Sequence, residues 1–219
     1  MKTVTAIEPQ KAKRERVNLF LDGDFAFSLS APVVAEFGLQ PGQRLSPADI
    51  EEIKNADLLH RCLYCALRYL GARPRSGVEI KVRLRRYGFG DDIIQKVIAQ
   101  LEEQKLVDDA AFARFWRENR ESFRPRSRRL IEAEFRRKGV DAEIVAEALA
   151  GLDDERSAYQ VAVRRAGSLR GLDYTSFRKR LGIFLKQRGF PYELINRTIE
   201  QIWREQVKPQ RNNGEGERL

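Results

Sequence analysis

The chain has 219 residues, of which 42% are hydrophobic and 33% charged, and its formal net charge is +9. That length holds one large or two small domains, and so high a charged fraction suits small helical modules better than one thick core. No run of apolar residues approaches the about 20 needed to span a bilayer, the first sixteen residues carry no signal-peptide h-region, and two cysteines are too few for a secreted disulfide scaffold. The expected location is the cytoplasm. The expected partners are polyanions, nucleic acid first, with a basic surface kept only for solubility as the alternative.

Strand signals are confined to the N-terminal portion. Arg16 to Leu21 (RVNLFL) and Phe25 to Leu29 (FAFSL) are short apolar runs around Asp22-Gly23-Asp24, the pattern of a β-hairpin, and Thr3 to Ile7 offers a third strand. Ala31 to Phe37 reads as a short helix stopped by Gly38, and Gln40 to Arg44 as a loop. Ser46-Pro47-Ala48-Asp49 then opens a helix, with Ser at the N-cap, Pro at the first helical position and an acid at the third. From there to Val207 the periodicity is almost wholly helical. The residues from Lys208 on (KPQRNNGEGERL) have one apolar side chain, the last, and read as a disordered tail.

The helical region repeats. Gly88, Gly139 and Gly189 are spaced by 51 and 50 residues. Four residues before each stand Leu84, Phe135 and Leu185, and eight before stand Ile80, Ile131 and Leu181. After them come Ile93-Ile94, Ile144-Val145 and Leu194-Ile195, then Ile98, Leu149 and Ile199, then Leu101, Leu152 and Ile202, each set at a shared offset. Such spacing puts one apolar helix face before each Gly and another after it, with the Gly at a helix end that needs φ > 0. A further helix precedes each pair, at Leu58 to Leu70, Asp109 to Asn119 and Glu155 to Ala166. The fold class expected is mainly α: tandem three-helix modules in an elongated, curved array, with a small N-terminal portion containing a β-hairpin. The expected division is 1–45, 46–119, 120–167 and 168–207, with 208–219 as the tail.

Basic side chains cluster on or beside the helix before each Gly. In the second module they are Arg124, Arg126, Arg128, Arg129, Arg136, Arg137 and Lys138, against Glu132 and Glu134, a local +5 in fifteen residues. Lys81, Arg83, Arg85 and Arg86 form the cluster of the first module, and Arg178, Lys179, Arg180, Lys186 and Arg188 that of the third. At about 100° per residue, Arg129 and Arg136 share a face distinct from that of Ile131 and Phe135. Arginine forks suit phosphates and carboxylates, so these residues are candidates for a partner or nucleic-acid surface; a merely solvated helix face is the alternative.

Enzyme signatures are missing. There is no P-loop motif and no dinucleotide-binding glycine pattern after a strand, and His60, the one histidine, has no surroundings of a catalytic triad. Cys62-Leu63-Tyr64-Cys65 has C-x-x-C spacing, but His60 points about 200° away from Cys62 and no second pair completes a zinc site, so a packed helix face is expected there. Asp108-Asp109 and Asp153-Asp154 fall at helix starts and read as caps. Trp116 and Trp203 lie at helical spacing from other apolar residues and read as core. No cofactor and no metal are expected.

Several of these stretches carry a resemblance. Tyr87-Gly88-Phe89, Ile93-Ile94, Leu101 and Leu106-Val107-Asp108-Asp109-Ala110-Ala111-Phe112-Ala113 in the first module are similar to the RecX family of bacterial regulators of the RecA recombinase. Arg128, Ile131, Phe135, Arg136-Arg137-Lys138-Gly139-Val140, Ile144, Ala148-Leu149 and Ala158 extend it through the second. Phe177 to Leu181 and Gly189-Phe190 to Ile199 extend it, more weakly, through the third, and LFLDGDFAFSLS with GLQPGQRLS resembles the N-terminal extension of longer members. The resemblance covers about Asp57 to Val207 and implies tandem three-helix units, binding in the groove of the RecA–single-stranded DNA filament, lowered ATPase and strand exchange, and no enzymatic activity. It implies RecA and single-stranded DNA as partners, with double-stranded DNA as a further candidate. A monomer is expected. No short binding motif of the family transfers residue by residue, so the candidate surface rests on charge alone.

Overall fold

A computed structural model of the chain describes residues 1–10 and 15–207. They fall into two compact units, Met1–Asp108 and the chain from Asp109 onward. The tail expected over 208–219 lies outside the described residues.

The first unit begins with an antiparallel sheet of β1 (Lys2–Pro9), β2 (Arg16–Leu21), β3 (Asp24–Ser30) and β4 (Arg44–Leu45), in the order β3-β2-β1-β4. The hairpin is the one the sequence signals. Leu21 pairs with Asp24, and Asp22 and Gly23 between them have φ of 52° and 93°, the left-handed pair that a two-residue type I′ turn needs. β1 is the third strand, paired with β2 from Val4↔Leu21 to Pro9↔Val17. β4 falls partly in the stretch read as a loop. It has only two residues, paired as Lys2↔Leu45 and Thr3↔Arg44, too few for any alternation to show in the sequence. Helix α1 (Ala31–Glu36) ends at Gly38, whose φ is 55°.

Helix α2 (Pro47–Leu70) starts at a full capping box: Asp49 N–H donates to Ser46 Oγ at 3.2 Å, and Ser46 N–H to Asp49 Oδ2 at 2.7 Å. The two helical stretches read from the sequence, one opening at Ser46 and one over Leu58 to Leu70, are this single helix of 24 residues. Its first half packs Ile50, Ile53 and Ala56 against the sheet core of Val4, Leu19, Leu21, Leu29 and Val33. Its second half gives Leu59, Cys62, Ala66 and Tyr69 to the first helical module. At the changeover sits the buried Asp57, which accepts hydrogen bonds from Ser30 N–H at 2.7 Å and Ser30 Oγ–H at 2.8 Å. Arg16 and Arg61 lie 3.7 and 3.8 Å from the same carboxylate, so Asp57 ties the end of β3 to α2.

The helices form three groups, each with its own core. The first is α2 with α3 (Gly77–Arg86) and α4 (Asp91–Glu103). The second is α5 (Asp109–Phe123), α6 (Arg128–Arg137) and α7 (Ala142–Ala148), and the third is α8 (Asp154–Ala166), α9 (Tyr174–Gln187) and α10 (Tyr192–Ile202). Core sharing groups α5 with the helices after it, and the division expected after residue 119 falls inside this helix. A 3₁₀ turn (Gly167–Leu169) follows α8, and a π-helical turn (Trp203–Val207) follows α10.

The repeated glycine has one geometric job. Gly88, Gly139 and Gly189 have φ of 85°, 68° and 83°. The N–H of the next residue reaches back to the carbonyl four residues before the glycine: Phe89 to Leu84 at 3.4 Å, Val140 to Phe135 at 3.2 Å, Phe190 to Leu185 at 3.4 Å. That is the Schellman end of a helix, and the hydrophobic contact that goes with it is present, since Leu84, Phe135 and Leu185 are fully buried and Phe89, Val140 and Phe190 join the same cores. Ile80, Ile131 and Leu181, one turn further back, are buried too. The helix starts differ. α3 and α6 are capped by Ser76 and Ser127, each twelve residues before its glycine. In the third module that place holds the buried Phe177, and α9 begins a turn earlier on an Asp173 cap.

Candidate polyanion interface

The helix before each glycine positions the basic clusters, and the structure sorts their members by what they touch. In the first module the cluster is largely engaged. Arg85 Nε and Nη2 donate to Asp91 Oδ1 and Oδ2 at 2.7 and 2.8 Å, a bidentate pair. The hydrogen bond from Arg85 holds the Asp91 carboxyl below its ordinary pKa, and the charge of Lys81 adds to this. Arg83 donates to the Tyr87 hydroxyl at 2.7 Å and lies 4.8 and 5.5 Å from the rings of Tyr87 and Tyr69. Arg86 is exposed and, among the described residues, has no ion pair.

In the second module the cluster divides. Glu134 on α6 is buried and draws three donors onto its carboxylate: Trp116 Nε1–H and Arg120 Nε–H, both at 2.8 Å, and Arg126 Nη1–H. Burial alone would raise its pKa. The hydrogen bonds from Arg120 and Trp116 and the charges of Arg120 and Arg126 outweigh it and hold the group below the ordinary value. Arg126 is thus a structural partner of a buried acid. Arg128 pairs with Glu132 at 3.0 Å and also reaches the Leu149 carbonyl at 3.2 Å. Arg137 donates to the Ala133 carbonyl at 3.2 Å, and Lys138 lies 4.1 Å from the Trp116 ring. Arg129 and Arg136 are exposed on the face opposite Ile131 and Phe135, as their spacing predicts, and among the described residues neither forms an ion pair. Arg124 follows the end of α5, exposed and likewise without an ion pair among the described residues.

On α9 of the third module, Arg178 donates to Asn196 Oδ1 at 3.4 Å, while Lys179 and Arg180 are exposed without an ion pair among the described residues. The structure therefore brings out Arg86, Arg124, Arg129, Arg136, Lys179 and Arg180 as available cations. It turns Arg83, Arg85, Arg126 and Arg128 toward groups of the chain itself.

The other sequence candidates are structural. Asp153 caps α8, accepting from Glu155 and Arg156 N–H at 2.8 and 3.3 Å. Asp154 accepts Arg128 N–H at 2.7 Å, so it caps α6 from the start of α8, and burial raises its pKa. Cys62 is fully buried, and burial with the neighbouring Cys65 pushes its thiol up to about 11, the reverse of a reactive thiolate. Trp116 and Trp203 pack on Phe112 and Phe177. Among the described residues, no three His, Cys, Asp or Glu side chains come together as a metal site, and no helix is long and apolar enough to cross a membrane.

Sequence reasoning missed two buried acids, Asp57 and Glu134. A signal existed for Glu134: it is three residues after Ile131 and next to Phe135, which puts it on the apolar face of α6. Asp57 sits likewise four residues after Ile53 on α2. Their arginine partners are 8 to 41 residues away, or on the next turn, and only the fold joins them.

Comparison with known proteins places the whole arrangement. The RecX N-terminal domain matches residues 2–46, and the first, second and third RecX three-helix domains match 62–101, 108–149 and 153–199. The chain is 31% identical over 208 residues to the regulatory protein RecX of Lactobacillus gasseri, covering 92% of this chain and 75% of that one. It is 32% identical over 205 residues to that of Lactobacillus johnsonii, with the same coverage, and 29% identical over 205 residues to that of Bacillus velezensis, covering 92% and 78%. Two crystal structures share the fold: a regulatory protein RecX, with a TM-score of 0.65 at 22% identity over 91% of this chain and 100% of that one, and RecX from Lactobacillus salivarius, with 0.55 at 23% over 67% and 97%. Three helical modules that follow a four-stranded sheet in the chain, matched domain by domain along the sequence, make this chain a member of the RecX family of regulatory proteins.

Proposed function

We propose that the protein is a non-catalytic regulator of RecA. In this reading it binds in the groove of the RecA–single-stranded DNA filament in the cytoplasm and lowers the filament's ATPase and strand-exchange activity, within recombination, DNA repair and the SOS response. The observation that carries it is family membership along the length of the chain, each of the four domains in order. The module repeat agrees with a partner that is itself a repeating polymer, and the available cations agree with a surface of acidic side chains or phosphates. Regulation then needs no chemistry. A ligand that prefers one filament state shifts the population toward it.

RecA's single-stranded-DNA-dependent ATPase, titrated with this protein below stoichiometry, tests the reading. Loss of activity at such ratios supports it, because one molecule then affects several RecA subunits. No effect at excess over both RecA and DNA overturns it.

Arg129, Arg136, Lys179 and Arg180, exposed and without an ion pair among the described residues, favour a second reading, direct binding to DNA. It predicts tight binding to bare single strands, falling with salt at a log–log slope of about −0.7 per neutralised phosphate. Weak binding to bare DNA beside tight binding to the filament separates the two.

A further inference from the structure

The second unit contains a cationic cavity of about 190 Å³, lined by Phe123 at the end of α5 and Arg124 just after it, Arg164 and Arg165 of α8, and Phe184 and Arg188 in and just after the last turn of α9. Among the described residues none of these four arginines forms an ion pair, and no Asp or Glu lines the cavity. The hydrogen bonds they do make go to neutral carbonyls: Arg164 Nη1 to Ser122 and Arg188 Nη1 to Phe184, each at 3.3 Å.

Arg188 is the centre of this cluster, and its place is fixed. Its guanidinium lies 3.6 Å from the Phe184 ring centroid, with Arg165 at 5.5 Å from the same ring. Its carbonyl accepts Ser127 N–H at 2.9 Å, which pins the turn after α9 to the start of α6. Burial, with the charges of Arg126, Arg165 and Arg124, lowers its affinity for its own proton. Four like charges therefore line one small space, and Arg164, Arg165 and Arg188 are placed there by backbone and ring contacts rather than by acids.

We propose that this cavity binds a single phosphate group. A carboxylate offers two oxygens and one charge, which one arginine fork satisfies; several converging forks match the more numerous oxygens and higher charge of a phosphate. The volume lies below the roughly 300 Å³ at which pockets take whole small molecules, so it fits a group and leaves the remainder of the ligand outside. There the ring of Phe123, 74% exposed, supplies an apolar face. The ligand class is a phosphate monoester, which has three terminal oxygens and close to two charges, from the end of a nucleic-acid strand or from a free nucleotide. This goes beyond the filament reading and does not depend on it, since the cavity needs no RecA.

The test is thermal unfolding of the full chain at constant ionic strength, titrated with inorganic pyrophosphate. The wild type is expected to gain a saturable rise in Tm, as any ligand of the native state produces. Arg164→Gln/Arg188→Gln is expected to weaken the binding by about tenfold or more, read as the rise in Tm above the variant's own Tm without pyrophosphate. Lys96→Gln, an exposed change on α4, is expected to bind like wild type. Competition between pyrophosphate and a short oligothymidylate bearing a 5′-phosphate would assign the site to a strand-end phosphate; pyrophosphate binding without competition would assign it to a free phosphate compound. Either upholds the site. No saturable rise, or the same rise in the double variant, would overturn it.

Discussion

The first and second modules share a scaffold and differ in what their arginines do. Three residues before the glycine both have an arginine, Arg85 and Arg136. Arg85 closes on Asp91, three residues after Gly88, whereas Arg136 has Ala142 at that offset and stays unpaired among the described residues. Five residues before the glycine the first module has Arg83 stacked between tyrosines, and the second has Glu134 buried among Trp116, Arg120 and Arg126. A cluster of basic residues in the sequence is therefore not yet a surface. The acids within reach of each fold decide which cations remain for a partner.

The largest way to break this comparison is at Glu134. Glu134→Ala leaves two arginines without their acid and is expected to cost about 3 kcal/mol in denaturant unfolding, the usual order for removing one partner of a buried pair. The pH dependence has a definite sign. The folded pKa of Glu134 is depressed, so its contribution is present above the unfolded value near 4.5 and is lost as pH falls through the lower folded value. Unfolding of the wild type should therefore steepen with acid in that window, and the variant's curve should be flatter. Equal stability of the two at neutral pH would show that the buried carboxylate does not hold the second module together.

The glycines sharpen the comparison. Gly88→Ala places a Cβ in open space and costs only the left-handed backbone, about 1 to 2 kcal/mol. Gly189→Ala has nearly the same φ, but its Cβ would stand 2.6 Å from Ser127 Oγ and 3.0 Å from Leu130 Cβ, so it must also part the turn from α6. Its loss in thermal unfolding is expected to be the greater of the two; equal losses would mean that the turn does not press on α6. The smallest effect is expected at Arg85. Arg85→Gln breaks an exposed pair, and the Tm should not move measurably.

The repeat was the most legible feature of the sequence, because a buried position repeated in three modules reports the same packing three times. Leu84, Phe135 and Leu185 announce the helix end, and the glycine beside them announces its φ. The hairpin was legible for a local reason, since Asp22-Gly23 encodes its own turn. The two-residue β4 carries no periodicity, and α2 serves two cores in succession, so its apolar positions read as two shorter helices. The candidate surface was legible only in part. Arg129 and Arg136 follow from helical spacing within α6. The engagement of Arg126 with Glu134, and the meeting of Arg124, Arg164, Arg165 and Arg188, depend on separations that only the tertiary fold closes.

The most direct test of the account is the affinity of this protein for preformed RecA–single-stranded DNA filaments, measured by anisotropy of a labelled chain for wild type, Arg129→Gln/Arg136→Gln and Arg85→Gln. The account predicts that the double variant binds at least about tenfold more weakly, roughly 1.4 kcal/mol, while Arg85→Gln binds like wild type. Equal weakening by both variants, or none by either, would contradict the claim that unpaired arginines carry the interface.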